Sequence, residues 1–223
     1  MNNIKTSISE IQDKILAACQ KVGRPAEQVR LVAVTKRVDA GRIREAAALG
    51  IKDFGENYVQ EARKKIETME PGLTWHMIGH VQANKIKYIV KLFDYVHSID
   101  RWELLESLDR YERELSILFE VNVSGESQKH GATKDGLRYM LEKMDRLKHL
   151  KPLGLMTVPP LAEDPEEARP YFKALREFLE AMNKEFGLKM NELSMGMSSD
   201  FQVAIEEGAT MVRIGTAIFG ERS

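Results

Sequence analysis

Leu31-Val32-Ala33-Val34-Thr35-Lys36 is a short apolar run, rich in β-branched residues, that ends on a lysine. Such a run suits a strand buried on both faces, as in a parallel sheet covered by helices. The turn that follows, Arg37-Val38-Asp39, is polar and contains no glycine. Lys36 therefore stands at the carboxyl end of a buried strand. A lysine there either caps the strand and snorkels to water, or, once desolvated, loses its proton readily and attacks carbonyls. The rest of the chain decides between the two.

Outward from this stretch, strands and helices alternate. Residues 2–22 place Ile4, Ile8, Ile11, Ile15 and Leu16 on one helical face and stop at Gly23 and Pro25. After the strand at 31–35, Asp39 caps a helix through Ile43, Ala46, Ala47 and Leu49 that closes at Gly50. Further strands are expected at 51–55, 74–79, 95–99, 116–123, 153–158, 193–197 and 211–215. Helices are expected at 57–69, 82–92, 101–114, 134–147, 165–186 and 199–207, with a short one after 215. This alternation argues parallel βαβ units. Its eightfold repetition argues an α/β fold, a closed (β/α)8 TIM barrel with an extra helix in front. The competing open, doubly wound sheet would normally carry fewer strands and a glycine-rich first turn. No linker, low-complexity segment or shift in composition divides the chain, so residues 1–223 read as one domain.

Lys+Arg total 33 and Asp+Glu 34, a net charge of -1, so no global field favours nucleic acid or an anionic membrane. The proportions, 43% hydrophobic and 30% charged, are those of an ordinary globular protein. Cys19 is the single cysteine, which excludes an intramolecular disulfide and fits a reducing compartment. Its apolar helical surroundings mark it as a small core residue. The amino terminus lacks the pattern of a signal peptide, and no apolar run approaches the roughly 20 residues that span a bilayer. The expectation is a soluble, cytoplasmic protein.

In a barrel of this kind function gathers where the strands end. Those ends supply Lys36, Glu56-Asn57, Gly79-His80, Ser98 to Asp100, Asn122 to Ser124, Thr157, Ser198-Ser199 and Gly215-Thr216. The loops after strands seven and eight are the common phosphate site of these barrels. Gly215 lets an anion approach the backbone, and Ser198, Ser199 and Thr216 can add hydroxyl donors. Ser199 and Thr216 can equally cap the helices that follow them. Arg213, two residues before Gly215, faces the interior by the period-two rule. A buried guanidinium needs a carboxylate or an acceptor on a ligand, and both remain open. His76, inside a strand, reads as a hydrogen-bonded core histidine rather than a base. His80, His97, His130 and His149 show no ligand spacing with each other or with Cys19, so no metal site is expected. Asn57 and Asn122 can bind a ligand or hold loops. A lysine, a phosphate cradle and an inward arginine at one mouth suggest a phosphorylated aldehyde held as a Schiff base. Pyridoxal 5'-phosphate (PLP) offers a carbonyl, a phosphate and a ring nitrogen to those three groups.

The same residues sit in motifs that resemble one family. They are Leu31 to Lys36, Phe54-Gly-Glu-Asn-Tyr58, His76-Met-Ile-Gly79 with Gln82 and Asn84-Lys85, Gly154 to Thr157, Leu193 to Asp200, and Arg213 to Thr216 with Ile218 to Gly220. In order and spacing, over almost the entire chain, they are similar to the PLP homeostasis protein family, also called the PLP-binding or alanine racemase N-terminal-domain-like family. The resemblance implies a barrel of the fold-type III PLP class that behaves as a monomer. It implies that Lys36 carries the cofactor, that Arg213 faces the pyridine nitrogen, and that Ser198 or Ser199, Gly215 and Thr216 hold the phosphate. Asn57 and His76 would line the pocket. The family is thought to store PLP and deliver it, with PLP-dependent apo-enzymes as recipients, and so to balance vitamin B6, with no established turnover. Related racemases add a second domain that supplies a catalytic tyrosine, and this chain ends at Ser223. The rival readings are a monomeric PLP-dependent amino-acid racemase with Lys36 as its base, and a cofactor-free Schiff-base aldolase. Barrel aldolases of similar plan usually carry their lysine on a later strand.

Overall fold

Asn3 opens the first helix, its side-chain oxygen accepting the N–H of Lys5 at 3.0 Å. That helix, α1 (Ile4–Lys21), buries Ile4, Ile8, Ile11, Ile15 and Cys19. Leu16, grouped with them by spacing, lies at the margin of the stripe and is 46% exposed. The computed structural model describes residues 3–126 and 128–220, so the expected helix start at Asn2 lies outside them. Among these residues no helix is long and apolar enough to cross a membrane.

The strands are β1 (Arg30–Val34), β2 (Asp53–Glu56), β3 (Thr74–Met77), β4 (Tyr95–Ile99), β5 (Leu115–Glu120), β6 (Leu150–Met156), β7 (Glu192–Ser194) and β8 (Met211–Ile214). Each pairs in parallel with the next, and β8 pairs with β1 to close the barrel. Between them run α2 (Ala40–Ala48), α3 (Val59–Ile66), α4 (Ile86–Leu92), α5 (Trp102–Asp109), α6 (Lys134–Leu141), α7 (Arg169–Phe186) and α8 (Phe201–Glu206), with α9 (Thr216–Phe219) after β8. The expected (β/α)8 barrel with its leading helix is the observed fold.

Element ends differ from expectation for local reasons. Strand β2 begins at Asp53 rather than 51 because the N–H groups of Gly50 and Ile51 turn back to Ala47 and Ala46, closing α2. Strand β5 stops at Glu120 because Asn122 folds the next residues into a turn, accepting the Gly125 N–H at 3.0 Å. Strand β7 stops at Ser194: Gly196 takes φ +92° and the Met197 N–H goes to Asp200 Oδ1 at 2.6 Å. The expected helix at 165–186 opens as a 3-10 turn over Pro165–Ala168 before α7 begins. Gly154 has a structural reason to be glycine, since a Cβ there would fall 1.8 Å from the Glu192 carbonyl oxygen. Only a residue without a side chain lets β6 and β7 approach so closely.

Alternate residues of each strand face opposite sides. Ala33, Phe54, Trp75, Val96, Phe119, Leu155, Leu193 and Val212 join the helices in one apolar layer. Their neighbours of opposite parity fill the barrel. Val32, Leu118, Met156 and Met211 are buried there outside that layer, beside a polar set: His76, His97, Ser194 and Arg213. Apolar branched side chains are the usual filling, so this interior is unusually polar. Helix α2, which follows the Lys36 turn, is capped by Asp39, whose Oδ1 accepts the Arg42 N–H at 3.1 Å. Asp39→Ala is expected to cost about 1 kcal/mol in urea denaturation.

Candidate functional site

A cleft of about 410 Å³ opens at the carboxyl ends of the strands. Lys36, Asn57, Ser198, Ser199, Arg213, Gly215 and Thr216 line it, with Val34, Ile78, Val158 and Met197 as its apolar walls. Its size lies in the range of small-molecule sites.

Lys36 is held from the outside by the turn in which it sits. The Val38 N–H donates to the Thr35 carbonyl at 2.9 Å, and Arg37 takes φ +60°. Lys36 is thus the second residue of a type II turn, whose third position needs positive φ. Arginine is an uncommon occupant there, and a buried ionic cluster holds it. Lys65 Nζ donates to the Thr35 carbonyl at 2.5 Å, to Glu56 Oε1 at 2.7 Å and to Glu61 Oε1 at 2.6 Å. Glu61 Oε1 also accepts the Arg37 N–H at 2.5 Å, and Thr35 Oγ1 donates to Glu56 Oε1 at 2.7 Å. Both backbone neighbours of Lys36 are therefore fixed to one Lys–Glu–Glu cluster. The Lys36 Nζ itself stands 6.0 Å from the centre of the Tyr58 ring.

Arg213 is 4% exposed. Its Nη1 donates to Ser194 Oγ at 2.7 Å and its Nη2 to the Thr157 carbonyl at 2.9 Å. Among the described residues no carboxylate stands within 4.0 Å of it, so the core ion pair left open by the sequence is absent there. Burial pushes its pKa down to about 10, against the pull of Glu120 and Asp200. It remains a cation at neutral pH with donors to spare, and the cleft reaches it.

His76 is not among the residues that line the cleft. It lies fully buried in the barrel interior, as the second link of a chain of hydrogen bonds. His76 Nε2 lies 2.9 Å from Asp53 Oδ1, His76 Nδ1 lies 2.9 Å from His97 Nε2, and His97 Nδ1 lies 2.8 Å from Ser194 Oγ. The Asp53 carboxylate can only accept, and with one proton on each ring this fixes every donor along the file. Ser194 accepts from Arg213 and donates to His97 Nδ1; His97 donates from Nε2 to His76 Nδ1; His76 donates from Nε2 to Asp53. Burial lowers the pKa of His76 and carries that of His97 well below the ordinary value, so both rings are neutral. Tyr95 stacks on His76 with centroids 4.5 Å apart, which fixes the ring's plane. The chain runs from the entry end of β2 to the guanidinium in the cleft.

Sequence reasoning singled out neither Asp53, His97 nor Ser194. Their common signal is a polar side chain at interior parity within a strand, the feature that marked Arg213.

These elements define a class: a (β/α)8 barrel with a lysine after β1 and a buried arginine in β8, facing one cleft. The chain belongs to the family described as "Alanine racemase, N-terminal domain", which matches residues 7–223. Within it, the chain is similar to proteins named pyridoxal phosphate homeostasis protein. That of Aquifex aeolicus is 43% identical over 220 residues, 96% of either chain, and that of Pseudomonas aeruginosa is 40% identical over 227 residues, 100% of this chain and 97% of the other. Among solved structures, PipY of Synechococcus elongatus, described with PLP bound, superposes with a TM-score of 0.86 at 36% identity, covering 98% of this chain and 100% of that one.

Proposed function

We propose that this chain is a PLP carrier of the homeostasis family, one barrel domain that holds PLP on Lys36 and releases it to PLP-dependent apo-enzymes. The observation that carries the reading is Arg213, a buried cation without a carboxylate partner among the described residues, facing the same cleft as Lys36. The residues present fit the group. Lys36 offers an amine to its aldehyde, Ser198, Ser199 and Thr216 offer hydroxyls to its phosphate, Gly215 lets that phosphate approach the backbone, and Arg213 offers N–H to its pyridine nitrogen. Asn57 borders the cleft between Lys36 and Ile78 and orients what is bound. His76 acts at one remove, through His97, Ser194 and Arg213.

When bound, PLP supplies an electron sink, and a pyridine nitrogen that accepts a hydrogen bond from arginine rather than a proton makes that sink weak. Arg213 keeps its proton, since its pKa of about 10 far exceeds that of a pyridine. Among the residues lining the cleft Lys36 is the one strong base. Racemisation needs a base on each face of the substrate carbon, so the lining favours carriage over turnover. Cys19, a buried thiol, suits a cytoplasmic setting, and a monomer suffices for a site drawn from one chain.

Borohydride reduction in the presence of PLP, followed by peptide mass mapping, tests the reading. The phosphopyridoxyl mass is expected on the peptide that contains Lys36. Labelling confined to other lysines, or no labelling, overturns it.

A further inference from the structure

Three side chains from three loops meet beside the cofactor cleft. His80 follows β3, Asp100 follows β4, and His130 lies between β5 and α6. The two imidazole rings stack with centroids 4.5 Å apart and planes 20° from parallel. One ligand atom from each of the three residues lies within 4.8 Å of the other two. Spacing along the sequence does not show this grouping, because barrel closure and not chain proximity brings the loops together.

Each loop is anchored to the barrel end. Ser98 Oγ donates to the Gly79 carbonyl at 2.6 Å, fixing the residue before His80. Arg101 Nη2 donates to the Val81 carbonyl at 2.9 Å, and its Nη1 holds Asp100 Oδ1 at 2.5 Å, leaving Oδ2 turned to His80 Nδ1 at 3.6 Å. On the third loop Gly131 takes φ +111°, and a Cβ there would lie 2.7 Å from the Asn122 backbone nitrogen. The Ala132 N–H donates to the Glu120 carbonyl at 2.7 Å, tying His130 against the end of β5.

We propose that His80, Asp100 and His130 form a binding site for a divalent transition-metal ion of the zinc, nickel or copper class. Two imidazole nitrogens and one carboxylate oxygen suit such ions, whereas magnesium and calcium favour all-oxygen sets. A tetrahedral ion bound at ~2.0–2.1 Å draws its ligand atoms to within ~3.3 Å of one another. Rotation of the two exposed histidine side chains supplies that closure. Three protein ligands leave the fourth position open toward a second cleft, of about 470 Å³, that Gln82, Lys85 and Asn57 also line. Asn57 borders the cofactor cleft too, so an ion here stands one residue away from it.

The test is calorimetric titration of the untagged, chelator-treated full chain with Zn²⁺ alone, repeated for His80→Ala, His130→Ala and the double variant. One ion per chain is expected, with each single substitution weakening binding roughly tenfold or more. Copper(II) added in its place should show nitrogen hyperfine coupling in electron paramagnetic resonance that His130→Ala diminishes. The exposed positions of both histidines predict unchanged circular dichroism and unchanged reductive labelling at Lys36, which separates loss of metal from loss of fold or of the PLP site. No saturable uptake of one ion per chain, or uptake unchanged in the double variant, overturns the proposal.

Discussion

Ser194→Ala is expected to destabilise the protein by about 2–4 kcal/mol in urea or guanidinium denaturation, though it removes a single oxygen. Ser194 is fully buried, and its Oγ is where Arg213 and His97 meet, 2.7 Å from Nη1 of the first and 2.8 Å from Nδ1 of the second. Truncation strips a charged donor of its partner and leaves a buried ring nitrogen without a donor. Both losses carry the desolvation penalty of a buried polar group left without its partner. The substitution should also weaken PLP retention by about tenfold, since one of the two hydrogen bonds that fix the guanidinium is gone. A change below about 0.5 kcal/mol, the level of an ordinary surface substitution, would show that the hydrogen-bond chain does not hold the interior.

Two supports of different kind thus converge on one cleft. Lys36 is aimed from outside the barrel, by the Lys65, Glu56 and Glu61 cluster that grips the backbone on either side of it. Arg213 is aimed from inside, by a file of neutral hydrogen-bonding groups ending at Asp53. The external cluster stores ionic interactions around a residue of positive φ. The internal file avoids a second buried charge beside Arg213, which Coulomb's law in a low dielectric would penalise or lock into an ion pair. A carboxylate in the position of Ser194 would neutralise the guanidinium and leave it little to offer a ligand.

The barrel was legible in the sequence because its signals are local. β-branched runs separated by amphipathic helices repeat with short turns, and each turn carries its own stop residue. Strand ends were less so, because they depend on which backbone N–H is taken by a turn, as at Ile51 or Met197. Lys36, Arg213 and the residues from Ser198 to Thr216 could be grouped since a barrel sends every strand end to one mouth. His76 was recognised as a core histidine by its place within a strand, and the resemblance then drew it toward the pocket. Its partners lie 21 and 23 residues away along the chain, on adjacent strands, so nothing in its own segment reveals them. The Lys65 cluster was hidden for a related reason: in the charged helix expected at 57–69 nothing local shows that Lys65 becomes buried, at 8% exposed, once α3 lies against the barrel.

Glu120→Gln is expected to make the protein more stable at pH 8, by up to about 3 kcal/mol, and to leave its stability near pH 4 almost unchanged. Glu120 ends β5, is 8% exposed, and faces the interior of the mouth between Asp100 and Arg213. Burial first, and the Asp100 charge second, raise its pKa from 4.5 to about 7, against the pull of Arg213. The folded state therefore binds this proton more tightly than the unfolded chain does. As the pH rises from about 4.5 to about 7, unfolding is favoured by release of the proton, and above that window the whole penalty of a buried carboxylate is present. A glutamine of the same shape carries no charge at any pH and escapes it. His76 and His97 act in the opposite sense, since rings held neutral in the fold favour unfolding below their ordinary pKa. They are common to both proteins, so the difference between variant and parent isolates Glu120. Denaturant midpoints measured at pH 4, 5.5 and 8 should diverge steadily in favour of the variant. A difference that stays constant with pH would mean that Glu120 is ionised throughout, with Arg213 outweighing its burial.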